Sequence, residues 1–355
     1  PFSTMDFSNL LIQWYLKNKR DLPWRNTTDS YAIWLSEIIL QQTRVAQGLP
    51  YYLRFMEAFP TVFDLANASE NDVLVLWQGL GYYSRARNMH KTAQYVVSEL
   101  NGVFPETYVE LKKLKGVGDY TAAAIASFCN NEEVPVIDGN VYRVLSRYFG
   151  IKEDISITTT RKVFVEIAKE LIPSGKSYLF NQAIMEFGAL QCVPKKADCM
   201  GCIFNNSCFA FANNSVEIFP VKSKKTKTRD RFFNYIVFFD EHENVLVNKR
   251  TEKDIWQNLH EFPLIETEQN EDYEKFVQTI QEKFNFADRI VSIKPFYHHQ
   301  TIHKLSHQNL HIKFWHVLVS GELKNGLSIK NLSKLPFPIV IFNFIEKELL
   351  KIKKK

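Results

Sequence analysis

Long apolar runs are missing from this sequence, and so is any N-terminal stretch with the pattern of a secretion signal, which argues against a membrane span or an exported chain. Cysteine is scarce: there are five in 355 residues, and four of them fall between positions 192 and 208. A secreted disulfide scaffold would use cysteine differently, so the cluster points to a metal site in a reducing compartment. Neither sign of charge dominates. The 44 Lys and Arg against 39 Asp and Glu leave a net +5, compatible with nucleic acid without requiring it. With 45% hydrophobic residues, the chain can bury two packed domains. Residues Pro1 to Thr4 precede Met5 and are left out of the reading.

The chain is organised around residues 111–147. Gly116-Val117-Gly118 lies there between two helical patterns. Glycine admits positive φ and lets a ligand approach the backbone. A helix starting after Gly118 would turn its free N–H groups and positive dipole end outward, which suits a phosphate. Further on, the apolar run Val134-Pro135-Val136-Ile137 ends in Asp138-Gly139-Asn140, a good place for a catalytic carboxylate. An ordinary turn before a helix would explain a lone Gly-x-Gly, but the combined run weighs against that reading. Upstream, Asp29 or Ser30 can cap a helix in which Glu37 is set in an almost wholly apolar run. A Glu on an exposed helical stripe is the bland alternative. Desolvation would instead raise the pKa of Glu37 and let it donate a proton. Gln78 to Arg87 packs two glycines, two tyrosines and two arginines into ten residues, either a helix start with a basic first turn or a loop that meets DNA.

The run Leu114-Lys115-Gly116-Val117-Gly118-Asp119-Tyr120-Thr121-Ala122, followed by Ile137-Asp138-Gly139-Asn140-Val141-Tyr142-Arg143-Val144, resembles the helix-hairpin-helix DNA glycosylases, with Lys115 in place of their Pro. Ser36-Glu37 with Leu40-Gln41-Gln42-Thr43-Arg44-Val45 is similar to the S-E-x-x-L-Q-Q-T-R-V of the MutY family of adenine glycosylases. Gly79 to Arg87 is similar to that family's G-L-G-Y-Y-x-R-A-R loop. The resemblance implies that Glu37 is the general acid, that Gly116 and Gly118 hold a DNA backbone, and that Asp138 faces the sugar. It makes Tyr82 an intercalating residue, with Gln42 filling the gap beside it, and puts Arg25 next to the active-site carboxylate. Endonuclease III-like relatives that also cut the strand carry Lys where this chain has Tyr120. A Schiff base needs that amine, so Tyr120 argues for base excision without an amine-dependent lyase step. Glu186 is read as structural.

Cys192, Cys199, Cys202 and Cys208 are spaced C-x6-C-x2-C-x5-C. Four thiolates suit zinc or iron–sulfur, although zinc more often uses two C-x2-C knuckles. The spacing resembles the [4Fe–4S] loop of the endonuclease III and MutY glycosylases, where the cluster holds a basic loop for DNA and is not the excision catalyst. Lys195 and Lys196 belong to that loop here, while Cys129 reads as a small buried residue.

Residues 222–231 are a basic linker without an apolar face. It divides a helical domain, residues 5–221, from an α+β domain, residues 232–350. In the second domain 232–239 and 244–249 alternate as two strands, 272–284 is helical, 294–300 and 311–319 read as strands, and 342–350 as a closing helix. Asn248-Lys249-Arg250, Ile255-Trp256 and Glu261-Phe262-Pro263 resemble the Nudix-like domain of MutY proteins, without the Glu-rich metal box of active Nudix enzymes. Six of nine histidines lie between His298 and His316, where strand surface is a more economical reading than zinc. His303-Lys304-Leu305-Ser306-His307 resembles the family's H-x-F-S-H loop, implying that Ser306 and His307 read 8-oxoguanine, with Leu305 in place of the aromatic.

The expected architecture is therefore multidomain, an all-α helix-hairpin-helix glycosylase domain with an iron–sulfur loop followed by an α+β Nudix-like domain. The expected activity is excision of adenine opposite 8-oxoguanine or guanine in duplex DNA, by a cytoplasmic monomer, nucleoid-associated if bacterial. Tyr120, Asn140 and Arg25 are expected to orient Glu37 and Asp138 by hydrogen bonds. The rival readings are an endonuclease III-like enzyme for oxidised pyrimidines and a non-enzymatic iron–sulfur DNA-binding module.

Overall fold

The computed structural model describes residues 4–223, 228–284, 289–296 and 300–350. Its contacts define two compact units. One holds the residues before Ala68 together with those from Asn88 up to the linker, and the other holds Ala68–Arg87 with the C-terminal half.

The helices of the first half are α1 (Thr4–Asn18), α2 (Ser30–Leu40), α3 (Val45–Ala58), α4 (Val62–Asn67), α5 (Glu70–Trp77), α6 (Ser84–Leu100), α7 (Tyr108–Leu111), α8 (Asp119–Asn130), α9 (Gly139–Phe149), α10 (Thr160–Leu171), α11 (Ser177–Leu190) and α12 (Phe209–Ala212). Among the described residues no helix is long and apolar enough to cross a membrane. Helix α2 is buried all round, from Tyr31 to Ile39, so it serves as a central rod of the helical unit. Asp29 is its N-cap, the Oδ2 atom accepting the Ala32 N–H at 2.8 Å. The following unit core joins α1, α9, α10 and α11 through Phe7, Leu11, Tyr15, Val144, Phe164 and Phe187.

The C-terminal half is a mixed sheet. Its strands are β1 (Arg229–Phe239), β2 (Asn244–Val245), β5 (Leu264–Thr267), β6 (Ile290–Pro295), β7 (Thr301–Lys304), β8 (Gln308–Val319) and β9 (Leu327–Ser328), with β3 (Asn248–Lys249) and β4 (His260–Glu261) forming a separate pair. Strands β1 and β8 run parallel from Arg229↔Gln308 to Phe239↔Leu318. The order is β6-β8-β1-β2-β9, with β5 on β1 and β7 on β8. Helix α13 (Tyr273–Lys283) lays Phe276 and Ile280 against Ile236, Phe238, Trp315 and Val317. Helix α14 (Ile339–Phe344) stacks Phe344 on Phe314, with centroids 3.8 Å apart. Strand β1 is buried from Phe233 onward because it is central to the sheet.

Three expectations are corrected. Residues 229–231, expected in the linker, belong to β1, because they pair with Gln308, Asn309 and Leu310 of β8. The single strand expected over 244–249 divides into β2, paired with β1 and β9, and β3, paired with β4. The strand expected from Lys294 begins at Ile290 and ends at Pro295, and 297–299 lie outside the described residues.

Residues 68–87, expected in the helical domain, group with the C-terminal half and hydrogen-bond to it. Tyr83 Oη donates to the Phe337 carbonyl at 3.3 Å and Gln78 Oε1 accepts the Phe337 N–H at 2.9 Å. Asn258 Nδ2 donates to Glu70 Oε1 at 2.6 Å, and Arg87 Nη1 to the Gln257 carbonyl at 2.7 Å. Apolar periodicity identifies these helices but carries no sign of which core receives them.

Candidate active site and nucleic-acid interface

Three segments bring the candidate catalytic groups together. Glu37 lies on α2 and is 5% exposed. Burial pushes its carboxyl up to about 7; a hydrogen bond with Tyr120 pulls the other way, and Asp138 adds a further upward push. Tyr120 stands in the first turn of α8, its phenol held neutral by burial and by the two carboxylates. Asp138 is the N-cap of α9, accepting the Val141 N–H at 2.8 Å on Oδ1 and the Asn140 amide at 2.8 Å on Oδ2. Burial raises its pKa as well, against those two bonds. Burial thus raises both carboxyls, and both act on the Tyr120 phenol through their charge.

Arg25 is placed differently from expectation. Its guanidinium donates both Nη groups to Glu186, at 2.9 and 2.7 Å, rather than orienting Glu37 or Asp138. Arg20 also grips Glu186 through its backbone N–H and Nε, both 2.9 Å from Oε1. Glu186 is 1% exposed, and although burial works upward, the two arginines hold its carboxyl at about 2. Arg25 acts on Glu37 only as a nearby charge that lowers its pKa.

Sequence reasoning missed Arg143 and Arg147, one turn apart on α9. Arg143 Nη2 donates to Asn140 Oδ1 at 2.8 Å and to the Gly188 carbonyl at 2.6 Å, and its Nε to the Cys192 carbonyl at 2.7 Å. Arg147 donates to the Val193 carbonyl at 2.8 Å and to the Cys192 sulfur at 3.5 Å. Their signal was available: two cations at i and i+4 just after Asp138, on a helix that must also bury Val141, Val144 and Leu145.

Cys192, Cys199, Cys202 and Cys208 are free thiols that line one cavity with Arg147, Phe204 and Gln191. Among the described residues no three His, Cys, Asp or Glu close on a point as the ligands of a single ion do. Four sulfur donors around one cavity have the chemistry of a thiolate-held group, and the Phe204 N–H, 3.4 Å from the Cys202 sulfur, is placed to support a thiolate. Burial pushes the Cys202 thiol up to about 11, so a cationic group must offset that for Cys202 to bind as a thiolate.

In the hairpin, Gly116 has φ +77, and a Cβ there would meet Asn88 Cβ at 3.0 Å. Gly118 has φ −90 and open space where a Cβ would stand, so its conformation does not require glycine. Thr92 Oγ1 fixes the hairpin by donating to the Lys115 carbonyl at 2.7 Å. Gln42, just past α2, is exposed with φ +56, an uncommon state for a non-glycine residue.

In the other unit, Tyr82 is 49% exposed with φ +47. Arg85 lies under it, 5.7 Å from its ring and 4.9 Å from Trp77, and donates to the Gly81 carbonyl at 3.1 Å. Tyr82 and Arg87 share a cavity with Trp256, Leu305, Ser306 and His307. Ser306 and His307 form the exposed turn between β7 and β8, closed by Leu305 N–H to the Gln308 carbonyl at 2.8 Å, with Ser306 Oγ 3.1 Å from His307 Nδ1. His303 packs on Trp256, His311 on Phe232 and His316 on Phe239, while His298 and His299 lie outside the described residues. Glu261 is tied to Arg250 at 3.0 and 2.9 Å and to the Tyr235 hydroxyl at 3.2 Å.

Comparison with known proteins identifies both domains. Residues 35–172 match the HhH-GPD superfamily of base excision DNA repair proteins, and residues 234–347 match the NUDIX domain. An adenine DNA glycosylase of Buchnera aphidicola subsp. Acyrthosiphon pisum is 35% identical over 309 residues, covering 86% of this chain and 85% of that protein. The Homo sapiens adenine DNA glycosylase is 43% identical over 213 residues, 58% of this chain and 39% of that one. Among solved structures, a thermostable thymine-DNA glycosylase superposes with TM-score 0.55 at 28% identity, covering 59% of this chain and 97% of its own. Endonuclease III trapped covalently on DNA, at 19% identity and TM-score 0.52 over 60% of this chain and 99% of its own, shares the fold of the helical part. By its match along most of the Buchnera protein, and by the two domains it contains, the chain belongs to the adenine DNA glycosylase family.

Proposed function

We propose that the protein flips adenine out of duplex DNA and excises it where it is mispaired with 8-oxoguanine or guanine. The observation that carries the chemistry is Glu37, a buried carboxyl held near pKa 7 beside Tyr120 and Asp138. Protonated Glu37 donates to a purine ring nitrogen, N7 by family analogy, so that adenine leaves neutral. Breaking the glycosidic bond leaves a sugar cation. Asp138, held by Val141 and Asn140, stabilises that charge and can trap it as an adduct, as in a retaining glycosidase. Ionised Glu37 then activates water. Tyr120 has no amine for a Schiff base, which favours this route over strand cleavage.

Gln42 and Tyr82, exposed and in strained backbone states, are suited to fill the gap left by the flipped base. Gly116 and Gly118 present the α8 N-terminus to a phosphate, and Ser306 with His307 reads the opposite base. Cys192, Cys199, Cys202 and Cys208 would hold a [4Fe–4S] cluster, which serves as a cross-link of its loop, and no step of excision passes through it. The protein is taken to act as a monomer.

The test is incubation with duplexes carrying adenine opposite 8-oxoguanine, guanine or thymine, with free adenine and strand breaks measured before and after alkali. Adenine release that is fastest opposite 8-oxoguanine, with breaks only after alkali, is the expected result. Strand cleavage without alkali, or release from oxidised pyrimidines alone, would move the protein to the endonuclease III-like reading. Binding without any release would make it a DNA-binding module.

A further inference from the structure

We infer that Asn181, on α11, is a positioning residue for Asp138, an inference that rests on the role proposed for that carboxylate. Residues 134–138 form no strand or helix, yet Pro135, Val136 and Ile137 are buried. A buried segment without a ladder partner must still satisfy its backbone groups. The Asn181 amide serves two of them: Oδ1 accepts the Val136 N–H at 3.0 Å, and Nδ2 donates to the Val134 carbonyl at 2.9 Å. One side chain thus replaces the edge of a strand. Asn181 is 1% exposed, and its amide is itself oriented from two helices, with Nδ2 2.9 Å from Ser127 Oγ on α8 and 3.2 Å from Ser177 Oγ on α11. The two hydroxyls lie 3.1 Å apart, and both serines are fully buried.

The consequence falls on Asp138. Downstream, the α9 N-terminus and Asn140 hold its carboxylate. Upstream, the clamp on Val134 and Val136 holds the chain that delivers it. Loss of Asn181 removes the upstream restraint and leaves Asp138 held from the α9 side alone, so that its position can shift with the loosened segment. A shift of about 1 Å at such a group slows a positioned reaction by about 100-fold. Ground-state DNA binding does not use Asp138 in this reading and should be spared.

Asn181→Leu, near-isosteric but without either bond, is compared with wild type and Asp138→Asn on a duplex with adenine opposite 8-oxoguanine. The expected result is single-turnover excision slowed by about 100-fold. Affinity for a duplex carrying 2′-fluoro-2′-deoxyadenosine, whose fluorine disfavours the sugar cation, should stay within about 2-fold. Amide hydrogen exchange should quicken at residues 134–138 while the rest of the chain keeps its protection. Wild-type excision by Asn181→Leu would overturn the inference, as would loss of protection throughout or parallel loss of binding and excision. Should Asn181→Leu fail to fold, Ser127→Ala/Ser177→Ala removes the groups that orient the amide. It should show the same local exchange and a slowing of about 10-fold, and normal excision with unchanged exchange would sink the idea. Full excision by Asp138→Asn would instead reject the role of Asp138, whatever Asn181 does.

Discussion

Glu37 is buried on α2, where the proposed chemistry needs a proton donor. Its folded pKa of about 7 lies above its unfolded value, so the folded state disfavours the carboxylate. The penalty is absent at low pH, grows as pH rises through the unfolded value, and is complete above about 7. Glu37→Gln should therefore abolish excision and still raise Tm at pH 8, by an amount equivalent to on the order of 3 kcal/mol. Calorimetry at pH 8 and pH 5 checks this, since the gain must shrink at pH 5. The same pKa sets the alkaline limb of the excision rate, which should fall as pH rises above about 7 because the proton donor is lost. The acid limb should fall as Asp138 is protonated. Glu186 has the opposite sign: its carboxyl is held at about 2, so its contribution is present above the unfolded value and disappears as the medium is acidified toward about 2. At the recognition turn, Ser306→Ala should leave excision opposite guanine nearly unchanged and reduce the preference for 8-oxoguanine, read as a ratio of single-turnover rates. A preference equal to wild type would remove Ser306 from recognition.

Among the elements, the hairpin separates folding from binding. Gly116 is required by its φ of +77 and by Asn88, so Gly116→Ala should lower stability by about 1–2 kcal/mol. Gly118 has ordinary backbone and open space around it, so Gly118→Ala should leave Tm within about 1 °C yet weaken duplex binding. Thermal melting and binding titrations on both variants distinguish a turn glycine from an interface glycine. Arg143 and Arg147 connect α9 to the cysteine loop through its backbone carbonyls. Both are buried among carbonyl acceptors, so their removal leaves orphan groups rather than an exposed gap.

At the scale of the whole molecule, the division into units cuts across sequence order. The segment 68–87, which carries Tyr82, shares its hydrogen bonds with Phe337, Gln257, Asn258 and Lys334. A chain ending at Ser223 should lose those partners. Limited proteolysis should then cut between Gln78 and Ser84 faster than in the full chain, and equal cutting would show that the segment holds itself. Strand β1 starts where the basic linker was expected to continue, because Arg231 is half-buried and paired with Asp254 and Glu266, at 2.9 and 2.7 Å. A charge run read from sequence looks solvated until the partners that neutralise it are known.

The sequence by itself determined the helical and α+β halves, the glycine hairpin and the four-cysteine loop, while the joint role of Glu37 and Asp138 came from the family resemblance and is a proposal. The first three depend on local signals: periodicity, glycine at a turn and ligand spacing. Only the tertiary structure decided that Arg25 serves Glu186, that Asn181 stands in for a missing strand behind Asp138, that Arg143 links Asn140 to the cysteine loop, and that residues 68–87 pack with the C-terminal half. Each of those is a hydrogen bond between positions far apart in the chain, and residue type and spacing state only that a buried polar group must find a partner, never which one.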